Sequence, residues 1–407
     1  RKLNNDGNYE VVICEVGGTV GDIESLPFME AIRQLSLEVG YHNHMLVHVT
    51  LLPFIKASGE LKSKPTQHSV MKLREIGLSP DMILCRSEHA IEQSVRDKIA
   101  LFCNVRSDHV IEGRDVPSIY EVPLVMHEQN AGHLIKERLK IKKTPKLKKL
   151  RSFIENYKNP KNQVTIAMCG KYTELIDSYK SVMESFVHAG VENNARVNIK
   201  WAKTEKIKSN VSAEKEFDGV DGILLLPGFG SRGVEGKVRS SKYARDTNTP
   251  FLGICLGLQC AVIDYARNVC GLTDANSTEF NKKTKHAVID LMESQKAIKI
   301  KGGTMRLGAY DCDILPGTKI FKAYRKDKIS ERHRHRFEVN NKYKKILEKN
   351  GLTFSGVNSD LGVVEAIEIS DHPWYVASQF HPELKSRVNK AHPLFRDFIK
   401  ATIKNKS

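Results

Sequence analysis

Hydrophobic and polar positions follow two different periods along the chain. The runs 11–15 (VVICE), which is apolar up to Cys14, and 223–226 (ILLL) are typical of strands buried in a parallel sheet. Between such runs, apolar residues recur every three or four positions, as they do over 26–39 and 258–269, which predicts amphipathic helices. Because strands and helices alternate, the pattern predicts an α/β fold with mostly parallel sheets.

The same periods extend over most of the chain. Further strands are predicted at 44–52, 81–85, 164–172, 197–201, 222–226 and 374–383, and further helices at 69–76, 88–102 and 177–189. The pattern breaks at 141–161, where a basic stretch with two prolines has few apolar residues and indicates a linker. We therefore expect two domains, residues 1–140 and 162–407, joined by this linker.

Charge and cysteine content narrow the class of protein. The 407 residues carry a net charge of +16, which solvated lysine faces explain, or else an anionic partner such as a nucleoside triphosphate. We expect neither nucleic acid nor a membrane as partner, because no binding signature accompanies the charge and no 18-residue run is apolar. Eight cysteines without framework spacing, and without a C-x-x-C pair for zinc, indicate free thiols in a reducing compartment, hence a cytoplasmic location.

Cys255 is the candidate nucleophile. A cysteine in an apolar run ordinarily packs as a small hydrophobe. Here Gly253 and Gly257 flank it as G-x-C-x-G, the thiol version of the strand–turn–helix elbow that exposes a nucleophile. The N-terminus of the following helix would favour the thiolate, and the N–H of Leu256 would meet a developing oxyanion.

A cysteine nucleophile needs a base, and the base needs an orienting group. The run His381-Pro382-Glu383 offers both, since residues two apart in an extended chain face the same side. Alone, such a run favours a packed surface histidine. Combined with the G-x-C-x-G turn upstream, it predicts a Cys–His–Glu triad.

Two polar segments in the N-terminal domain offer a second kind of chemistry. EVGGTVGDIES (15–25) has three glycines and three acidic residues, and GELKSKPTQHSV (59–70) brings two lysines and a glutamine close together. Solvated loops would explain both segments. Alternatively, the first is an edge for Mg²⁺ and a nucleotide, because carboxylates bind Mg²⁺ together with phosphates, and the second clamps a triphosphate and a pyrimidine.

GICLGLQ (253–259) and FHPE (380–383) resemble the class I glutamine amidotransferases, which hydrolyse glutamine through a cysteine thioester and release ammonia. Other motifs are similar to those of the CTP synthase family. In the amidotransferase part these are PGFGSRGVEGK (227–237), NSTEF (276–280), GTMRLGAY (303–310) and ERHRHRFEVNN (331–341); in the synthetase part they are 15–25, 59–70, LSPDMILCRSE (78–88) and SVRDKIALFCNV (94–105).

The resemblance implies a fold, a reaction and partners. The fold is a P-loop-like, dethiobiotin-synthetase-like Rossmannoid part followed by a flavodoxin-like class I glutamine amidotransferase domain. The reaction is the ATP-dependent amination of UTP at C4 with ammonia from glutamine, which makes the protein a ligase of pyrimidine biosynthesis. Mg²⁺ is the metal, GTP the activator and CTP the product inhibitor. Ammonia passes internally between the two sites, and the protein is a homo-oligomer, a tetramer that also assembles into filaments.

The resemblance also implies a role for individual residues. Those of the glutaminase site are the triad Cys255, His381 and Glu383, the oxyanion donors Leu256 and Gly228, and the glutamine-binding residues Gly228, Phe229, Gln259, Glu279 and Arg336. Those of the synthetase site are Glu15 for Mg²⁺, Asp22, Glu24, Lys62, Lys64, Gln67 and Lys98 for UTP and CTP, and Arg86 and Val110 for ATP. The residues for GTP are Arg232, Thr304 and Arg306.

The sequence departs from the family in two places. The usual P-G-G-F-G has become Leu226-Pro227-Gly228-Phe229-Gly230, and proline has no N–H, so Gly228 would have to supply the second oxyanion donor. No phosphate-binding G-x-x-x-x-G-K-[ST] run occurs, and the resemblance begins partway through the synthetase domain. We therefore expect a chain truncated at its N-terminus, which would not phosphorylate UTP alone.

Two other functions compete with this interpretation. A bare glutaminase, or an amidotransferase serving another synthetase, would have the motifs of 162–407 without those of 15–105. A basic filament or nucleic-acid scaffold would need no reactive thiol, so rapid labelling of Cys255 by a glutamine analogue distinguishes it from an enzyme.

Overall fold

The computed structural model describes residues 9–170, 176–291 and 305–406. The chain divides into two compact units, Arg1–Lys148 and Lys149–Ser407. The α-helices are α1 Leu26–Val39, α2 Lys64–Glu75, α3 Gln93–Cys103, α4 Val122–Glu128, α5 Ala131–Arg138, α6 Lys148–Lys158, α7 Lys180–Glu192, α8 Asn210–Phe217, α9 Val234–Asp246, α10 Leu256–Asn268, α11 Lys319–Tyr324, α12 Lys344–Lys349 and α13 Pro393–Lys406. Short 3₁₀ turns are Ile23–Ser25, Tyr41–Asn43, Ser107–His109, Ile119–Glu121, Ile176–Tyr179, Thr204–Lys206, Asn341–Tyr343 and Pro382–Leu384.

The strands form a separate set of sheets in each unit. They are β1 Val47–Leu51, β2 Phe54–Ile55, β3 Glu60–Leu61, β4 Met82–Ser87, β5 Val110–Arg114, β6 Asn162–Gly170, β7 Ala195–Lys203, β8 Gly222–Leu225, β9 Phe251–Ile254, β10 Ala275–Ser277, β11 His286–Leu291, β12 Arg306–Ile314, β13 Lys328–His335, β14 Phe337–Val339, β15 Leu352–Asn358, β16 Val363–Ile369 and β17 Tyr375–Ser378.

The first unit contains a three-stranded parallel sheet in the order β1–β4–β5 and a small antiparallel hairpin, β2–β3. Its core combines Ile83 and Val110 from the sheet with Val70 of α2 and Ile99 of α3. The predicted alternation of strand and helix is confirmed here, and the helix predicted at 26–39 is α1.

The strand predicted at 11–15 is wrong. These residues are irregular and exposed, with 91% of Ile13 accessible, and no strand in the described part of the chain pairs with them. A strand needs a neighbour for its backbone hydrogen bonds, and an apolar run alone does not provide one.

The second unit is built on a nine-stranded sheet in the order β13–β12–β15–β16–β17–β9–β8–β6–β7. The strands from β17 to β7 are parallel, whereas those from β13 to β17 are antiparallel, so the two halves meet at β17. A smaller sheet, β10–β11–β14, lies in the same unit. The segment that begins at residue 379 therefore leaves the sheet where its two halves meet.

Both faces of the parallel half are covered, which explains its continuously apolar strands. Ile223 and Leu225 of β8 enter one hydrophobic cluster with α9 and α10, whereas Leu224 enters the opposite cluster with α7 and α13. This alternation confirms the parallel strands predicted from the apolar runs. The antiparallel half was not predicted.

The segment predicted as a linker, 141–161, is partly helical. Helix α6 (Lys148–Lys158) buries Phe153 and Ile154 and belongs to the second unit. Leu150, Phe153, Ile154 and Tyr157 recur at helical spacing, but the four lysines and one arginine over 146–158 concealed this face. No helix among the described residues is both long and apolar enough to cross a membrane.

Candidate active site

Cys255 occupies the turn between β9 and α10, and its backbone is strained. Its φ of 54° and ψ of −103° lie outside the usual regions for a residue with a side chain. The turn is held because the Cys255 N–H donates to the carbonyl of Ser378 (2.7 Å) and its own carbonyl accepts from Gln259 N–H (3.2 Å). Strain of this kind persists only where the surroundings enforce it, and it is common at active sites.

Two small residues make the turn possible. A Cβ on Gly257 would come within 2.6 Å of the backbone oxygen of Leu225, and one on Gly253 within 2.9 Å of Ala377 Cβ. Glycine at both positions therefore allows α10 and β9 to approach their neighbours closely.

His381 and Glu383 face each other after β17. His381 Nδ1 lies 2.7 Å from Glu383 Oε1, and both side chains are buried, as is Cys255. His381 Nε2 is buried without a well-formed hydrogen bond among the described residues. Burial alone would lower the pKa of His381, but interactions with Cys255 and Glu383 outweigh it and raise the pKa to about 10. The raised pKa makes the imidazole well suited to take up and hold the proton of the Cys255 thiol.

The polar residues predicted to bind glutamine fall into two groups. Gln259, on the first turn of α10, is buried and donates through Nε2 to the carbonyl of Phe337 (3.1 Å), next to Arg336. Glu279 accepts from the backbone N–H of Gly230 (2.9 Å), in the loop that also contains Gly228 and the half-exposed Phe229.

Arg306 does not occupy an exposed loop, so its predicted contact with GTP is not supported. It begins β12 and is buried, with NH1 3.0 Å from Glu338 Oε1 and NH2 2.7 Å from Glu365 Oε1. Its guanidinium is committed to these two carboxylates. Arg232 is exposed and pairs with Glu205 at 3.2 Å, and Thr304 lies outside the described residues.

Two histidines complete the buried cluster around Arg306. His333 Nδ1 lies 2.9 Å from His335 Nε2, and His333 Nε2 lies 3.4 Å from Glu365 Oε2. Burial, with the nearby Arg306, lowers the pKa of His333 to about 2 and that of His335 to about 3. Burial raises the pKa of Glu338 to about 8 and of Glu365 to about 7, although Arg306 opposes the shift.

In the first unit, the acidic segment forms a pocket of about 300 Å³. Glu15, Asp22 and Glu24 line it together with Gly17 and Gly18. All three carboxylates are exposed, and Asp22 Oδ2 accepts from the N–H of Thr19 at 3.2 Å. The described residues contain no cluster of three or more histidine, cysteine or acidic side chains that could hold a metal ion by themselves.

The predicted nucleotide residues around α2 are only partly close together. Lys62 pairs with Glu60 of the β2–β3 hairpin, and Lys98 of α3 also acts on Glu60, because both lysines contribute to lowering the pKa of that carboxyl. Lys64 is exposed at the first position of α2, whereas Gln67 is buried and donates to Ser63 Oγ at 3.0 Å.

The two residues predicted to contact ATP differ in accessibility. Arg86 is exposed and lies 3.6 Å from Asp115. Val110 is fully buried in the core, and its carbonyl accepts from Arg96 NH1 (2.6 Å). A direct contact of Val110 with a nucleotide is therefore not supported, because neither its side chain nor its carbonyl faces solvent.

Sequence reasoning missed Gln379, which is fully buried and places Nε2 3.7 Å from Cys255 Sγ. The sequence does contain a signal for this residue in its spacing from His381. Gln379 precedes His381 by two residues, and the period of two that paired His381 with Glu383 also places Gln379 on that side.

Comparison with known proteins agrees with this geometry. Residues 174–401 match the family model for glutamine amidotransferase class-I, and residues 1–141 match that for the CTP synthase N-terminus. A CTP synthase of Caldanaerobacter subterraneus subsp. tengcongensis is 53% identical over 403 residues, which cover 99% of this chain and 75% of that protein. A CTP synthase of Flavobacterium psychrophilum is 51% identical over 407 residues, which cover 100% of this chain and 76% of that protein.

A solved structure resembles the second unit. The glutaminase domain of Trypanosoma brucei CTPS with bound acivicin is 38% identical, with a TM-score of 0.56, and the match covers 59% of this chain and 94% of that chain. A strained cysteine turn on a parallel sheet, in a region that matches this family model, makes the second unit a class I glutamine amidotransferase. The similarity continues through the first unit, and the chain belongs to the CTP synthase family, the ligases that carry out glutamine-dependent CTP synthesis.

Proposed function

We propose that Cys255, His381 and Glu383 act as the triad that releases ammonia from glutamine. The support is one arrangement: the Cys255 thiol lies on a strained turn, and the neighbouring imidazole is oriented by a carboxylate. His381 takes the thiol proton, and Cys255 Sγ attacks the amide carbon of glutamine. His381 returns the proton to the leaving nitrogen, ammonia departs, and a glutamyl thioester remains.

Water then completes the reaction. Neutral His381 accepts a proton from a water molecule, the oxygen attacks the thioester carbon, and the C–S bond breaks to release glutamate. Glu383 keeps Nδ1 of the ring protonated throughout, so that Nε2 exchanges the proton. The backbone N–H groups of Leu256 and Gly228 are the proposed donors to the oxyanion, since Pro227 has none to give.

Glutamine itself is recognised by groups of opposite charge. Glu279 is suited to the α-ammonium group and Arg336 to the α-carboxylate, because charge-assisted hydrogen bonds are the stronger ones. Gln259, Gly228 and Phe229 complete the proposed binding site. Glu279 and Gly228 belong to neighbouring segments, as the hydrogen bond from Gly230 to Glu279 indicates.

The first unit is the proposed site of the ligase step, in which ATP transfers its γ-phosphoryl group to O4 of UTP and ammonia then displaces phosphate from C4, giving CTP, ADP and phosphate. Glu15 is the proposed Mg²⁺ ligand, because its carboxylate lines the acidic pocket and this metal prefers oxygen ligands, which it takes from a protein carboxylate together with phosphates. Mg²⁺, when bound, neutralises charge on the transferring phosphoryl group. Asp22, Glu24, Lys62, Lys64, Gln67 and Lys98 are proposed for UTP and CTP, and Arg86 for ATP.

Regulation and assembly are proposed from the family. GTP activates the glutaminase with Arg232 and Thr304 as candidate contacts, CTP inhibits as product, and the protein assembles into homotetramers and filaments. A cytoplasmic location is consistent with eight cysteines that all remain free thiols.

The variant Cys255→Ala tests the glutaminase proposal. In the full-length enzyme it should abolish glutamine-dependent CTP formation, because no other nucleophile replaces the thiol, and should leave ammonia-dependent formation within about twofold of wild type. Loss of both activities would contradict the assignment of the two half-reactions to separate units.

A further inference from the structure

Cys255 has a second polar neighbour besides His381. Gln379 follows β17 directly, is fully buried, and places its amide Nε2 3.7 Å from Cys255 Sγ, within hydrogen-bonding distance for sulfur. Its backbone is fixed as well, since its N–H donates to the carbonyl of Glu365 at 2.8 Å. The side chain therefore has little freedom to move away from the thiol.

The direction of this hydrogen bond depends on which end of the amide faces the sulfur, and the neighbours determine it. Gln259 Nε2 lies 3.1 Å from the carbonyl oxygen of Phe337, which can only accept, so Gln259 must present its NH₂ group there. The second hydrogen of that NH₂ group points to Gln379 Oε1, 3.4 Å away. Gln379 consequently presents its oxygen to Gln259 and its NH₂ group to the sulfur.

We infer that Gln379 is a further catalytic residue of the glutaminase site, whose amide N–H donates to Cys255 Sγ and favours the thiolate. Hydrogen bonding to the charged form of a group stabilises that form. A neutral amide does so without adding a positive charge, so it leaves His381 able to give up its proton to the leaving nitrogen. This inference rests on the proposed role of Cys255 as the nucleophile.

The variants Gln379→Leu and Gln379→Glu test it. The readout is the pH dependence of Cys255 alkylation by iodoacetamide in the whole chain, followed by mass spectrometry of the peptide that contains Cys255. The midpoint in Gln379→Leu should move up by about one pH unit, as expected for the loss of a hydrogen bond to a charged group. Gln379→Glu should move it further, because a carboxylate then faces the thiolate.

Kinetics and a neighbouring variant separate this role from a structural one. The kcat of glutamine hydrolysis should fall at least about tenfold in Gln379→Leu, with KM for glutamine within about twofold, since the thiolate is needed for chemistry and not for binding. Ser378→Ala is the control. It removes the hydrogen bond from Ser378 Oγ to the Phe380 carbonyl (3.0 Å) in the same segment, and this hydrogen bond does not involve the sulfur. The midpoint of Cys255 alkylation in this variant should equal that of wild type.

An alkylation midpoint unchanged from wild type in either folded Gln379 variant would overturn the inference. Gln379→Glu has nearly the same shape as the native residue, so it serves if the leucine variant does not fold. Failure of the triad itself is a different result, because glutamine hydrolysis would then survive in Cys255→Ala.

Discussion

The Nδ1 atom of His381 lies 2.7 Å from Oε1 of Glu383, and neither side chain is open to solvent. A carboxylate can only accept a hydrogen bond, so Nδ1 must carry the proton, and Nε2 is left as the atom that exchanges a proton with Cys255. The tautomer of His381 is thus set by a residue two positions further along the chain.

Glu383→Gln should lower the kcat of glutamine hydrolysis by about 10²–10⁴, the range expected when the residue that sets the tautomer of a catalytic histidine loses its charge. An amide accommodates either ring tautomer and withdraws the negative charge that helps raise the pKa of His381. The measurement is steady-state glutamate release, with ammonia-dependent CTP formation as the internal control. A kcat within twofold of wild type would remove Glu383 from the mechanism.

The cluster around Arg306 permits a deduction about protonation. His335 Nδ1 lies 3.2 Å from the Phe337 carbonyl, so Nδ1 carries the proton and Nε2 accepts from His333 Nδ1. Neutral His333 then turns an unprotonated Nε2 toward Glu365 Oε2, 3.4 Å away. Two acceptors would face each other unless Glu365 is protonated, which agrees with the raised pKa of this buried carboxyl, about 7.

Glu365→Gln should therefore be tolerated at neutral pH, because an amide is uncharged like the protonated carboxyl, and its NH₂ group can face the unprotonated His333 Nε2. Between pH 4.5 and 7 the folded protein keeps the Glu365 proton that the unfolded chain has lost, so the free energy of unfolding falls as pH rises through this window. In the variant, the free energy of unfolding should therefore fall less between pH 4.5 and 7 than it does in the wild type. Urea denaturation at pH 5 and 7.5 measures it.

Arg306→Met is the contrasting variant. Its loss leaves Oε1 of Glu338 and Oε1 of Glu365 buried without their hydrogen-bond donor, which should cost about 1–3 kcal/mol of unfolding free energy for each. If instead Glu365→Gln destabilised the protein as much as Arg306→Met does, Glu365 would have to be an ionised partner, and the deduction would be wrong.

Gly257→Ala should displace the nucleophile turn. A Cβ there would meet the backbone oxygen of Leu225 at 2.6 Å, a contact that no side-chain rotation relieves. We expect a lower melting temperature and at least a tenfold loss of glutaminase kcat, since small displacements of reacting groups are costly. Gly132→Ala in α5, where the nearest atom lies at 3.7 Å, makes the same substitution without a clash and should leave the melting temperature unchanged or higher.

The sequence predicted the features of this molecule that depend on local patterns, but not those that depend on residues far apart in the chain. The parallel strands and the Cys255 turn were visible because sheets covered on both faces need apolar runs and because the turn requires glycines. The antiparallel strands were not, since their pairing depends on distant partners. The burial of Arg306, which the resemblance had assigned to GTP, could not be predicted, because its two carboxylates, Glu338 and Glu365, lie 32 and 59 residues away along the chain.

Lys64 occupies a position that is unfavourable for the stability of the folded protein. It is exposed at the first position of α2, where the positive end of the helix dipole repels a cation. An anion bound at this end would reverse that effect, which suits the proposed contact with the phosphates of UTP. Lys64→Ala should thus raise the free energy of unfolding by about 0.3–1 kcal/mol while it impairs both ammonia- and glutamine-dependent CTP formation.

The matched control is Lys143→Ala, which removes another exposed lysine of the same unit, one that pairs with Glu10 at the surface. It should change neither CTP formation nor stability by a measurable amount, because exposed ion pairs contribute little. Thermal unfolding without nucleotide and CTP formation from ammonia are the two measurements. Unchanged ammonia-dependent turnover in Lys64→Ala would show that Lys64 is not part of the nucleotide site. A lysine that contacts the ligand predicts a gain in stability together with a loss of turnover. A purely structural lysine does not predict this combination.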